Sequence, residues 1–162
     1  MPKKSPAIVG IDTSLTNTSM FFGPGEFREI KGGKLRGVLR LHNLYAKSLE
    51  ALMHYKPRVA VIEGYAYMAN ARQHRLGEAG GMVRLACFES GVDRIYEVPP
   101  TTLKKFFAGH GKATKEDMIY EASQRGHVLP NDNVADACAL WYAGQDTSLL
   151  RKKCETESFS RG

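Results

Sequence analysis

Ala7-Ile8-Val9-Gly10-Ile11-Asp12 is a run of five small or apolar residues that stops on an acid. A run this short and this apolar reads as a buried β-strand from Ala7 to Ile11. Ser19 to Gly23 and Glu26 to Ile30 read as two further strands. Between them Gly23-Pro24-Gly25 is tight-turn sequence, so the pair forms an antiparallel hairpin. The theme of the first strand then returns. Val59-Ala60-Val61-Ile62 is apolar and mostly β-branched, as a strand covered on both faces is, and it ends on Glu63.

Helical spacing fills the gaps. Leu35, Val38, Leu39, Tyr45, Ala46, Leu49, Leu52 and Met53 fall on one side of a helix from about Leu35 to Tyr55, closed by Pro57. Tyr65 to Arg72 reads as loop or helix start, followed by a helix from about Gln73 to Glu89. Its Gly77, Ala79, Gly80 and Gly81 weaken helix propensity but allow close packing. Arg94 to Val98 reads as a strand, stopped by Pro99-Pro100, and Thr101 to Phe107 as a short helix. Thr114 N-caps a helix from Lys115 to Arg125 that Gly126 ends, and a last helix runs from about Asp132 to Tyr142. The expected fold is a mixed five-stranded α/β sheet with helices on both faces over residues 1–145, followed by a polar, poorly ordered tail over 146–162.

Three of these elements carry acids that could meet. Asp12 and Glu63 end apolar strands, and Asp132 and Asp136 lie one turn apart at the start of the last helix. Ligands of α/β sheets favour the carboxyl ends of strands. Carboxylates gathered there repel one another unless a cation compensates them, and magnesium or manganese does so with oxygen ligands. Two such ions about 3.5–4 Å apart activate a water and stabilise the leaving oxygen in phosphodiester hydrolysis. Taken singly, each acid has a plainer explanation as a turn former, a cap or a macrodipole acid.

Composition agrees with an anionic partner. The 162 residues carry a net charge of +6, and the bases are segregated. Lys104 to Lys115 holds four lysines and His110, and Tyr65 to Arg75 holds two tyrosines, two arginines and His74, both without an acid. His110, between two glycines, reads as a surface histidine. No apolar run approaches the ~20 residues of a membrane helix, and the basic N-terminus is followed by no signal-length apolar stretch, so a cytoplasmic protein is expected. Cys87, Cys138 and Cys154 are unpaired in spacing, which argues against disulfides and zinc.

In order along the chain, Gly10-Ile11-Asp12-Thr13-Ser14-Leu15-Thr16-Asn17-Thr18, Val61-Ile62-Glu63-Gly64-Tyr65, Leu76-Gly77-Glu78-Ala79-Gly80-Gly81, Val98 to Lys105, Gly111 to Lys115 and Asp132 to Leu140 resemble the successive motifs of RuvC-type Holliday junction resolvases of the RNase H-like superfamily. The closing motif has the form seen in phage-like members, and the match covers about residues 7 to 143. The resemblance implies a homodimeric nuclease that cuts four-way junctions, with forks and flaps as related substrates, to 5′-phosphate and 3′-hydroxyl ends. It implies Asp12, Glu63 and Asp136 as ligands of Mg2+, with Mn2+ able to substitute. Bacterial members carry an acid three residues before the last Asp, where this chain has Asn133. Asp132 is then the fourth ligand, with the Asn133 carbonyl as the alternative. Lys104 and Lys115 match lysines near the scissile phosphate. Lys105, Lys112, Arg72, His74 and Arg75 fall where phosphates are contacted, and Tyr65 or Tyr67 where an aromatic stacks on an unpaired base. The Gly77–Gly81 helix is implied as a two-fold dimer contact.

Three other readings share some of these residues. A YqgF-type nuclease shares the first motif but acts on RNA; the basic segment from Pro99 to Lys115 favours the RuvC reading. An actin-like sugar kinase shares Gly10-Ile11-Asp12-Thr13-Ser14 but needs two such domains. A junction-binding protein without cleavage keeps the bases and loses the metal.

Overall fold

The computed structural model describes residues 7–64 and 71–159. Six strands form one mixed sheet in the order β3-β2-β1-β4-β5-β6. β1 (Ile8–Asp12), β4 (Val59–Glu63) and β5 (Arg94–Val98) run parallel at its centre. β2 (Asn17–Gly23) and β3 (Glu26–Lys31) form the expected antiparallel hairpin on one side, turning through Gly23 and Gly25 at positive φ.

The helices divide between the faces. α1 (Gly37–Tyr55) and α2 (Ala71–Ser90) pack on each other and on one face, over Val9, Ile11, Met20, Phe22, Ala60, Ile62 and Ile95. α3 (Pro100–Ala108), α4 (Lys115–Gln124) and α5 (Asp132–Ala143) cover the other, over Phe21, Val61 and Val98. Side chains alternate along a strand. Gly10 and Asp12 therefore share the α5 face of β1, and Val61 and Glu63 the same face of β4.

Two expectations need correction. The stretch after Asp146 is not irregular: α6 (Thr147–Lys153) is N-capped by Asp146, and Glu155–Ser158 form β6, antiparallel to β5, which raises the strand count from five to six. All four β6 residues are exposed, so no alternation of apolar side chains announced a strand held by backbone hydrogen bonds. In α1 the inward residues are Leu44, Ser48, Ala51, Leu52 and Tyr55, whereas Val38, Leu39 and Met53 are exposed. Eleven apolar or aromatic positions on one helix left the sequence more than one way to draw its stripe.

The α4 start follows the sequence closely. Thr114 accepts from the Asp117 N–H, and the Asp117 carboxylate accepts from the Thr114 N–H. This reciprocal cap fixes the turn that carries Lys115. Thr114→Ala should cost about 1 kcal/mol. For a domain of this size that lowers the melting temperature by about 2–4 °C, measurable by calorimetry.

Candidate active site

Asp12 and Glu63 stand side by side because β1 and β4 are parallel and in register, with Ile11 opposite Ile62. α5 supplies the other two acids. It crosses β1 closely, because Gly10 has no side chain: a Cβ there would lie 2.0 Å from the Ala137 carbonyl oxygen and 2.5 Å from the Trp141 nitrogen. Asp136 lies close enough to Asp12 for its charge to raise that carboxyl, and Asp132 lies one turn earlier on the same helix.

The start of α5 is anchored by residues that the sequence reading did not single out. Asn131 caps the helix by accepting from the Val134 N–H at 3.0 Å. Its amide donates to Glu29 of β3 at 2.7 Å, and the same Glu29 oxygen accepts from Asn17 of β2 at 2.8 Å. Asn before a helix is a legible cap signal. The link to Glu29, 102 residues away in the chain, is not.

The acids interact as a group. Asp12 is raised well above the usual carboxylate range, first by burial and then by the charges of Asp136, Glu63 and Asp132, with Lys115 opposing. Asp136 is pushed up to about 7 by burial, then by Glu63 and Asp132, against Lys104 and Lys115. Burial raises Glu63, and Lys104 opposes it. Both lysines are thus within electrostatic reach of the acids. Lys115 is exposed and extends to Asp132 with Nζ–Oδ2 at 2.8 Å, which raises the lysine's own pKa.

Among the described residues, no three His, Cys, Asp or Glu side chains stand grouped as they would around a metal ion. The donor set fits a hard divalent cation: oxygen ligands only, partly desolvated, with more negative charge than the two lysines offset.

This arrangement has a consequence for pH. A carboxyl whose folded pKa exceeds its unfolded value keeps a proton that the unfolded chain releases. The stability it contributes is fully present below the ordinary value of 3.8 and is lost as pH rises through about 7 for Asp136. His127, lowered by burial, acts in the opposite sense below its ordinary 6.5. Comparison with Asp136→Asn removes that contribution. Between about pH 5 and about pH 7.5 the metal-free parent should lose melting temperature relative to Asp136→Asn, in paired calorimetric scans without divalent ions.

The other expected residues divide. Lys105 and Lys112 are exposed, on α3 and in the loop after it, on the α5 side. His74 and Arg75 are exposed on α2, and Asn133 is half-buried beside Asp132. Tyr65, Tyr67 and the Arg72 side chain lie outside the described residues. His110 is exposed, 3.7 Å from Asp117, as a surface histidine should be.

A six-stranded mixed sheet flanked on both faces, with acids at the carboxyl ends of two adjacent parallel strands and on the closing helix, defines an RNase H-like domain with a carboxylate site. No protein-family model matches the chain. Curated sequences do. A crossover junction endodeoxyribonuclease RuvC of Rickettsia typhi is 30% identical over 162 residues, covering 90% of this chain and 98% of the relative. A RuvC of Thermus thermophilus is 39% identical over 111 residues, covering 62% of this chain and 63% of the relative, so the chain spans less than two thirds of that protein. Thermus thermophilus RuvC in complex with a Holliday junction substrate superposes with a TM-score of 0.71 and 27% identity, over 86% of this chain and 96% of that one. The chain belongs to the RuvC family of crossover junction endodeoxyribonucleases.

Proposed function

We propose that this protein is a structure-selective endonuclease that cuts four-way and related branched DNA by metal-dependent phosphodiester hydrolysis. One observation supports the reading: Asp12, Glu63, Asp132 and Asp136 act on one another electrostatically, with Lys104 and Lys115 opposing them, in a chain of the RuvC family. The four acids are the ligands of Mg2+, two ions during cleavage, with Mn2+ able to substitute and Asp132 rather than Asn133 as the fourth ligand. When bound, the metal supplies charge neutralisation and an activated water.

The chain's own residues do the rest. Lys104 and Lys115 stabilise negative charge on the phosphate, and Lys115 exchanges Asp132 for that phosphate as the substrate arrives. Lys105, Lys112, Arg72, His74 and Arg75 hold backbone phosphates, which makes affinity fall steeply with salt. Tyr65 or Tyr67 stacks on an unpaired base at the branch.

Two symmetric cuts need two sites, and α2 offers the dimer surface. Among the described residues nothing stands within 4 Å of a Cβ at Gly77 or Gly81, and Leu85 and Phe88 continue the stripe at 41% and 46% exposure. Gly81→Glu should shift the protein from dimer to monomer in sedimentation and abolish paired nicking, while single nicks persist.

The reading is tested by cleavage of a labelled immobile four-way junction with and without magnesium. Metal-dependent paired nicks support it. Tight binding without cleavage in magnesium or manganese overturns it in favour of a junction-binding protein. Preferential cutting of RNA points to a YqgF-like activity.

A further inference from the structure

The acid site has a feature that the family's ligand pattern does not account for. A row of side chains crosses the sheet beneath α5: Glu29 on β3, Ser19 on β2 and Asp12 on β1, set opposite one another by the strand register, with Glu63 beyond. Ser19 lies at the middle of the row with no exposed surface, and its hydroxyl has no hydrogen-bond partner among the described residues. A buried orphan hydroxyl is costly and calls for a partner that arrives later.

Its neighbours narrow the choice. Glu29, across the β2–β3 pair, accepts from Asn17 and Asn131 through one and the same oxygen, so its second oxygen is a competing acceptor. Asn17, two residues along the same strand face, has an unpartnered Oδ1 of its own that Ser19 leaves unmet in this arrangement. Asp12 sits directly across the β1–β2 ladder, where facing Cβ atoms stand about 4.5–5.5 Å apart, within reach of a serine hydroxyl after rotation about χ1. Its carboxyl has two oxygens, and an ionised carboxylate is an acceptor only.

We propose that Ser19 is a positioning residue for Asp12. Its Oγ–H donates to the Asp12 carboxylate oxygen that faces the sheet, and so presents the other oxygen towards Glu63 and Asp136. Hydrogen bonds of this kind to a ligating carboxylate fix its orientation, and their removal typically costs about 10–100-fold in metal affinity. The proposal rests on the nuclease reading above, in which Asp12 is a metal ligand.

The test is Mn2+ titration by calorimetry on the metal-free, full-length protein, with melting curves taken in parallel. Ser19→Ala should bind Mn2+ about tenfold or more weakly. It should also melt at or above the parent without metal, because an orphan hydroxyl has gone. Ser48→Ala is the control. Ser48 on α1 is equally buried and equally orphaned but packs on the opposite face, so its loss should leave Mn2+ affinity unchanged. Parent-like Mn2+ affinity in Ser19→Ala overturns the proposal and leaves the hydroxyl to Asn17 or Glu29. An equal loss in Ser48→Ala also overturns it, since the effect is then not local to Asp12. A parent protein that takes up no Mn2+ overturns the nuclease reading together with this one.

Discussion

Asp12→Asn should cut a four-way junction at least about 10³-fold more slowly than the parent, a loss on the scale of removing one group that stabilises transition-state charge. That corresponds to about 4 kcal/mol in the barrier. Junction binding should be retained, because the bases proposed to hold phosphates are untouched. The same substitution should not harm the metal-free fold. Asp12 is raised by burial and by three neighbouring acids, so replacing it with a neutral isostere relieves repulsion and the variant should melt no lower than the parent at neutral pH. Activity and stability thus move in opposite directions. Single-turnover cleavage, gel-shift titration and calorimetry read the three quantities. Residual cleavage above a tenth of the parent rate removes Asp12 from the centre of the site.

Gly10→Ala should produce the largest loss of stability from one methyl group. Gly10 does not have a positive φ, so its requirement is space rather than backbone freedom. The added Cβ would meet the Ala137 carbonyl oxygen at 2.0 Å and the Trp141 nitrogen at 2.5 Å, both main-chain atoms of α5 that no rotamer change can move. Overpacking of buried positions costs about 1–3 kcal/mol and more where the backbone must yield. A cost of about 3 kcal/mol lowers the melting temperature by roughly 6–12 °C. The helix that recoils carries Asp132 and Asp136, so Mn2+ affinity should fall alongside stability. Unchanged melting would mean that α5 does not lie against β1.

The central strands were legible because burial on both faces leaves nothing but apolar residues to write, as in Val59-Ala60-Val61-Ile62. Asp12 and Glu63 were legible as strand-ending acids because each closes such a run. The hairpin declared itself through Gly23-Pro24-Gly25, and the α4 cap through Thr114. What escaped the sequence depends on tertiary neighbours. Glu29 is an ordinary exposed-strand acid until Asn17 and Asn131 reach it. Ser19 is an ordinary strand serine until the register puts it opposite Asp12. The exposure of Val38 and Leu39 was invisible because an α1 rotated by one position still presents an apolar stripe. Gly10 could be read as part of a strand and of a motif, but not as the notch that seats α5.

β6 bears on how copies of the molecule behave in a crowded solution. An open sheet edge is a template on which another chain can pair. Here the parallel core does not end on the hydrophobic β5. It ends on four exposed residues, two of them glutamates, Glu155 and Glu157, with Glu157 also held by Arg84. A second copy approaching that edge meets charged and polar side chains rather than apolar ones, so the strand that looked least structured in the sequence disfavours strand-to-strand pairing.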